Sequence, residues 1–100
     1  EHPLLWSSSL VATNLHWIAG SPPASNFDCH ARTRYRQTEA ACRVQVHADG
    51  NIEISFREPQ WAVTPGQYAV LYRQEECLGG GPIRSSDTQG DQSQPPTLSA

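Results

Sequence analysis

The segment Cys42–Arg57 contains two runs in which apolar and polar residues alternate, separated by Ala48-Asp49-Gly50. Alternation with a period of two puts the apolar side chains of a strand on one face, so this segment predicts a β-hairpin. A two-residue Asp-Gly loop would put the apolar side chains of the two strands on opposite faces of the hairpin. A three-residue loop pairs Val46 with Ile52 and puts them all on one face. We predict the three-residue loop, with Gly50 at the left-handed position of a G1 bulge.

Strand-like segments surround this hairpin, and no part of the sequence shows a sustained helical period. The predicted strands are Ser9–Ile18 with an irregularity near Thr13-Asn14, Phe27–Arg36, Gln67–Arg73 and a short strand that begins at Cys77. The centre of Gln67–Arg73 is apolar on both faces, so we expect it to be buried on both sides. Five to seven short strands with turns between them predict an all-β fold, a small antiparallel β-barrel without exposed edges.

Domain organisation follows from the distribution of apolar residues. Residues 85–100 contain one large apolar side chain, Leu98, and are predicted to be a disordered tail. Residues 1–84 are predicted to form the barrel domain, with residues 1–8 leading into it. The chain contains no methionine and starts at Glu1, so we expect a piece of a longer protein. No apolar run approaches the roughly 20 residues that cross a bilayer, so no membrane span is predicted.

Three of the basic residues are arranged in a regular pattern. All seven basic residues are arginine, against ten acidic residues, and the net charge of -3 argues against a nucleic-acid binder driven by bulk charge. Arg32, Arg34 and Arg36 occupy alternate positions, which on a strand places the three guanidinium groups on one face. They are either a phosphate-contacting stripe for RNA or a solvated outer face neutralised by partners such as Glu53 or Glu58. Spacing alone leaves both interpretations open.

The sequence shows no assembled catalytic or metal site. Cys29, Cys42 and Cys77 are widely spaced without a CxxC pair, which predicts small buried side chains in a reducing compartment. A metal or redox module that uses these cysteines is the alternative. The run Gly79-Gly80-Gly81 lacks the pattern of a nucleotide-binding loop, and it predicts a close backbone approach where the barrel closes. We therefore predict no catalytic residue, metal ligand or cofactor site in this chain.

Several motifs taken together resemble a known family. They are Leu15-His16-Trp17, Arg34-Tyr35-Arg36-Gln37, Thr64-Pro65-Gly66-Gln67 and Cys77-Leu78-Gly79-Gly80-Gly81. In order and spacing, residues 1–84 resemble the C-terminal barrel of tRNA-specific 2-thiouridylases. The sequence departs from the family at Tyr68 and Pro82, which affects the expected local packing. The resemblance implies a six-stranded barrel of the type found as the second domain of translation elongation factors.

The resemblance also implies a function for the longer protein. Such an enzyme uses ATP and a cysteine persulfide to place sulfur on C2 of the wobble uridine of tRNA, and a sulfur-donor protein supplies the sulfur. The catalytic residues would precede Glu1, in the N-terminal and central domains, which would be the barrel's other partners. The barrel would help to hold the tRNA, and we predict that the RNA-binding residues are Arg32, Arg34, Arg36 and Gln37.

An alternative function is a purely structural barrel without RNA contact. It would pack on the catalytic domains through Trp17, Trp61 or the strand Tyr68–Tyr72. The tail and the all-arginine base composition favour a mitochondrial location, and a bacterial protein would instead be cytoplasmic.

Overall fold

A computed structural model of the chain describes residues 6–33, 39–61, 63 and 65–89. Its strands are β1 (Trp6–Ala12), β2 (His16–Trp17), β3 (Asn26–Arg32), β4 (Ala40–Val46), β5 (Ile52–Trp61), β6 (Tyr68–Arg73) and β7 (Glu76–Gln89). The antiparallel neighbours run β1-β5-β4-β3-β6-β7, and β7 pairs back with β1, so six strands close into a barrel. The short β2 adds to β7. The predicted all-β, six-stranded barrel is confirmed, and no helix in the described residues could span a membrane.

The β4–β5 hairpin has the predicted register. Val46 is opposite Ile52, and Val44 is opposite Ile54. The backbone N–H of His47 donates to the carbonyl oxygen of Asn51 at 2.9 Å, which leaves three residues in the loop. Gly50 has a φ of 90°, the left-handed conformation that the bulge requires. The register puts the apolar side chains of both strands on the inner face, as the alternation predicts.

Apolar side chains from all six barrel strands fill the interior. The buried apolar residues are Leu10, Ala12, Phe27, Cys29, Ala31, Cys42, Val44, Ile52, Ile54, Phe56, Val63, Ala69, Leu71 and Ile83. Each large aliphatic side chain among them contributes about 1.5–3 kcal/mol of transfer free energy relative to an exposed position. One continuous core therefore holds the ring of strands together.

The predicted strand Ser9–Ile18 is interrupted where the sequence indicated an irregularity. β1 ends at Ala12, Asn14 has a φ of 49°, and the chain resumes pairing as β2. Asparagine is one of the few residues that tolerate this left-handed conformation. Ile18, just beyond β2, is 62% exposed and lies outside the core.

The prediction that Gln67–Arg73 is buried on both sides is wrong. In β6, Ala69 and Leu71 are buried, but Tyr68 is 60% exposed and Tyr72 is partly exposed. A barrel has a single layer of strands, so alternate side chains must face outward. The outward side chains of β6 are apolar, and for that reason the sequence indicated burial on both faces.

The final strand is longer than predicted, and the predicted boundary after residue 84 is wrong. β7 has 14 residues, and its last part pairs with β1, with Val11 opposite Ser85 and Leu10 opposite Ser86. Backbone hydrogen bonds between strands do not require apolar side chains, so this polar segment can still join the sheet. Residues 85–89 thus belong to the barrel, and residues 90–100 lie outside the described residues.

Side-chain hydrogen bonds reinforce this last pairing. The Asp87 carboxylate accepts the backbone N–H groups of Ser8 and Ser9, at 2.8 and 2.7 Å, where the register of β1 shifts. Ser7 is fully buried. Residues 6–8 are therefore part of β1 rather than a segment leading into the barrel, and residues 1–5 lie outside the described residues.

The run Gly79-Gly80-Gly81 lies where the backbones approach most closely. β7 is bordered here by β6 on one side and by β2 on the other. A Cβ on Gly80 would lie 2.6 Å from the carbonyl oxygen of Ala69, and a Cβ on Gly81 would overlap the carbonyl oxygen of Thr13. The predicted close approach is confirmed, because side chains at these positions would push the neighbouring strands apart.

We predict that Gly81→Ala lowers the free energy of unfolding by about 2–3 kcal/mol, since the added Cβ must displace backbone. Gly50→Asn is the matched control, because a Cβ at Gly50 meets no atom within 4 Å and asparagine tolerates its positive φ. The control should lose less than about 1 kcal/mol in urea unfolding. Equal losses for the two variants would contradict a steric role for the glycine run.

We also predict that a chain that ends at Arg84 is less stable than one that ends at Gln89, by about 2 kcal/mol or more. The shorter chain loses the pairing of β7 with β1 and leaves backbone groups of β1 without partners. Urea unfolding of both chains measures the difference directly. If their midpoints coincide, residues 85–89 do not contribute to the barrel.

Candidate nucleic-acid interface

Arg32, the last residue of β3, occupies the outer face of the barrel. Its neighbours Ala31 and Thr33 are buried, while Arg32 is partly exposed. The predicted orientation is therefore confirmed for the first arginine of the stripe. Arg34, Arg36 and Gln37 lie outside the described residues, so their predicted positions remain predictions.

The Arg32 guanidinium is held by two neighbours. One of its terminal nitrogens lies 3.6 Å from a carboxylate oxygen of Glu39, and the guanidinium carbon lies 5.3 Å from the centroid of the Tyr72 ring. Tyr72 reaches this position because β6 pairs with β3, with His30 opposite Tyr72. A partly exposed ion pair contributes about 0–1 kcal/mol, so these contacts orient the guanidinium more than they stabilise the fold.

The expected neutralising partners were Glu53 and Glu58, and the structure gives Arg32 a different one. Glu39 is close because it lies just before β4, the strand paired with β3. Glu53 instead lies 3.7 Å from the ring nitrogen of His47. This difference arises because β5 does not neighbour β3, so its outward side chains cannot reach Arg32.

Further arginines on the barrel surface were not singled out from the sequence. Arg43 on β4 pairs with Asp28 on β3 at 3.1 Å. Arg57 on β5 is exposed and has no carboxylate partner within the part of the chain that the structure describes. The alternation around Ile54 and Phe56 is the signal that could have placed Arg57 on the outer face.

A cavity of about 360 Å³ opens beside these strands. Arg57 and Arg73 both line it, together with His30 and Ala41. The Arg73 guanidinium also lies 5.7 Å from the centroid of the Phe27 ring. Arg73 is the last residue of β6, so its position near Phe27 depends on the pairing of β6 with β3, which no local sequence pattern predicts.

Two of the three cysteines meet inside the barrel. Cys29 on β3 is directly opposite Cys42 on β4, and both are buried, whereas Cys77 is partly buried. Their sulfur atoms are 3.8 Å apart and share a hydrogen bond. That hydrogen bond lowers the pKa of Cys29 and raises the pKa of Cys42, because one thiol must keep its proton to donate to the other. Among the described residues, no three His, Cys, Asp or Glu side chains group as metal ligands.

The outer surface near β3 thus offers chemistry suited to nucleic acid. Guanidinium groups make forked hydrogen bonds to phosphate, and guanidinium and tyrosine faces can stack on bases. Several acidic side chains lie among the arginines, including Asp28 and Glu39. The surface is therefore of mixed charge, and any phosphate contact by the barrel would be confined to a few arginines.

Similar sequences occur within longer proteins. The tRNA-specific 2-thiouridylase MnmA of Xanthomonas axonopodis pv. citri is 51% identical over 87 residues, which cover 87% of this chain and 23% of that protein. The protein of the same name from Chromohalobacter salexigens is 52% identical over 95 residues, 91% of this chain and 25% of that protein. The one from Nitrosococcus oceani is 49% identical over 93 residues, 93% of this chain and 25% of that protein.

The chain therefore spans about a quarter of the length of these relatives. The relatives are bacterial, and they give no support to the predicted mitochondrial form.

A family model described as the aminomethyltransferase beta-barrel domain matches residues 7–83. That range begins in β1, ends in β7 and includes every strand of the closed ring. It also covers well over half of the chain. By sequence match and by architecture, the chain belongs to the aminomethyltransferase beta-barrel domain family.

Proposed function

We propose that this chain is the C-terminal barrel of a tRNA-specific 2-thiouridylase and that it contacts the tRNA. The observation that carries the proposal is an identity of about half, over 87–93% of the chain, to relatives of that name. In this proposal the whole enzyme uses ATP and a cysteine persulfide to place sulfur on C2 of the wobble uridine. The catalytic residues, the ATP site and the contacts with a sulfur-donor protein belong to its other domains.

The proposed RNA contact lies at Arg32 and at Arg34, Arg36 and Gln37, in the connection from β3 to β4. Arg32 supports it, because its guanidinium is already oriented by Tyr72 and Glu39. A side chain held in place loses less conformational entropy when it binds a phosphate. The forked donors of arginine then set the position of the RNA backbone without reading its sequence.

The barrel contributes a limited number of phosphate contacts in this proposal. The net charge is -3, and Arg32 and Arg43 each have a carboxylate neighbour. Each phosphate contact that an arginine makes adds about 0.9 to the slope of log affinity against log salt concentration. Most of the tRNA affinity would therefore come from the other domains of the enzyme.

A purely structural barrel is the second candidate function. Ile18 and Tyr68 favour it, since they are the large apolar side chains most exposed among the described residues. Trp17, a predicted docking residue, packs edge-on against Phe27 with ring centroids 6.2 Å apart and is partly buried against the barrel's own core. Trp61 is the last residue of β5, and its side chain lies outside the described part of the structure.

The compartment is also a proposal. The mitochondrion stays the prediction from the composition and the tail, and the cytoplasm is the alternative for a bacterial protein.

We predict that Arg34→Ala, made in the full-length enzyme, weakens tRNA binding and lowers the salt slope by about 1. The reason is the loss of one guanidinium–phosphate contact. The measurement is a tRNA titration of both proteins at several salt concentrations. Arg84→Ala is the matched control, because Arg84 is an exposed arginine on β7, which does not neighbour β3. The control should leave the slope unchanged.

If the salt slope is unchanged for both Arg34→Ala and Arg36→Ala, this connection does not contact the RNA. The structural alternative would then be tested by deletion of the barrel. It predicts that the remaining enzyme is less stable but binds tRNA with unchanged affinity.

A further inference from the structure

Cys29 and Cys42 form a buried pair that the proposed function does not use. They are directly opposite in the antiparallel pairing of β3 with β4, with relative exposures of 6% and 1%. Their sulfur atoms are 3.8 Å apart. Cys77 lies on β7, which does not neighbour β4, so the proximity is particular to these two thiols.

The geometry between the strands fits a covalent bond between the two sulfurs. Directly opposed residues of an antiparallel pair have Cα atoms about 4.5 or 5.5 Å apart, within the range of about 4.4–6.8 Å that disulfides span. The sulfur separation must shorten to about 2.05 Å, which rotation of the two side chains can supply. The strand register would therefore persist in the oxidised protein.

A disulfide at this position would link the two ends of the segment that connects β3 with β4. Cys29 and Cys42 are 13 positions apart, and the chain between them carries Arg32, Arg34 and Arg36. A bond between the cysteines would close this segment into a covalent loop at its base. Closing a loop removes conformations from the unfolded chain and so stabilises the folded one.

The surroundings of Cys29 favour its reaction. The hydrogen bond from Cys42 lowers the pKa of Cys29 and outweighs the opposing effect of burial, and the positive charge of Arg73 lowers the pKa further. The thiolate is the form of cysteine that attacks peroxides. Both cysteines line the cavity of about 360 Å³ beside Arg57 and Arg73, which is large enough to admit a small polar oxidant.

We propose that Cys29 and Cys42 are a modification site, a dithiol that a hydroperoxide oxidises to a disulfide closing the arginine-bearing connection. The Cys29 thiolate attacks one oxygen of hydrogen peroxide, the O–O bond breaks, and the released hydroxide leaves as water. Cys29 is then a sulfenic acid. The sulfur of Cys42 attacks the sulfur of Cys29, the S–O bond breaks, and the hydroxide that leaves takes up the Cys42 proton to become a second water. Two thiols and one hydrogen peroxide thus yield one disulfide and two waters.

The experiment is a peptide map of the protein after treatment with hydrogen peroxide and alkylation of the remaining thiols. Trypsin places the three cysteines on three peptides, since the chain has no lysine and the cuts fall after arginine. These are the peptide that ends at Arg32 and the peptides 37–43 and 74–84. We expect the first two to be linked after peroxide and separate after dithiothreitol. The intact mass should fall by about 2 Da, and Cys77 should stay available to alkylation.

Two variants serve as controls. Cys77→Ser should give the same linked peptides, because Cys77 takes no part in the bond. Cys42→Ser removes the second thiol, so Cys29 should remain as a sulfenic acid that dimedone captures. The peptide map of the unsubstituted protein decides the proposal even if a variant fails to fold.

Other results would overturn the proposal. They are free thiols at both positions after peroxide, sulfinic acids without linked peptides, or a link that involves Cys77. Urea unfolding of Cys77→Ser gives a second measurement, and its midpoint should be higher when oxidised than when reduced. A lower midpoint would show that the bond does not fit the native register. The proposal holds whether or not the connection binds RNA.

Discussion

Closure of the ring by β1 and β7 is the constraint on which the rest of the structure depends. A small sheet with open edges would leave unpaired backbone groups and an uncovered apolar face. Asp87 supports this pairing with an acceptor where the register of β1 shifts, and Gly79-Gly80-Gly81 let the start of β7 lie close to β6 and β2. Once the ring is closed, alternate side chains of every strand are committed to the core or to solvent. The outward position of Arg32 and the inward positions of Cys29 and Cys42 follow from that closure.

The neighbours of β3 determine what its side chains can do. On one side, β6 supplies Tyr72, whose ring lies under the Arg32 guanidinium. On the other side, β4 brings Cys42 opposite Cys29, and Glu39 lies just before it. The proposed RNA contact and the proposed dithiol therefore belong to one unit, the β3–β4 pair with its connection. The charge on this unit is mixed, as the proposed limited number of phosphate contacts requires.

An element could be predicted from the sequence when the residues that determine it are near neighbours in the chain. The β4–β5 hairpin was predicted with its register, because alternation and a single glycine specify a tight loop between adjacent strands. The extension of β7 to Gln89 was missed, since its polar sequence looks like a tail and its partner, β1, lies at the other end of the chain. The outward face of β6 was misjudged because apolar side chains on a barrel surface look like core residues in the sequence.

The sequence by itself determined the all-β class, the turn at Gly50, the break near Asn14 and the outward direction of Arg32. These features depend on φ preferences and on the two-residue period of a strand, and both act between near neighbours. Only the tertiary structure decided that Arg32 meets Tyr72 and that Cys29 meets Cys42. Such contacts between strands depend on the order and register of the strands in the sheet. Burial of the whole core selects that order and register, and no short stretch of residues encodes it.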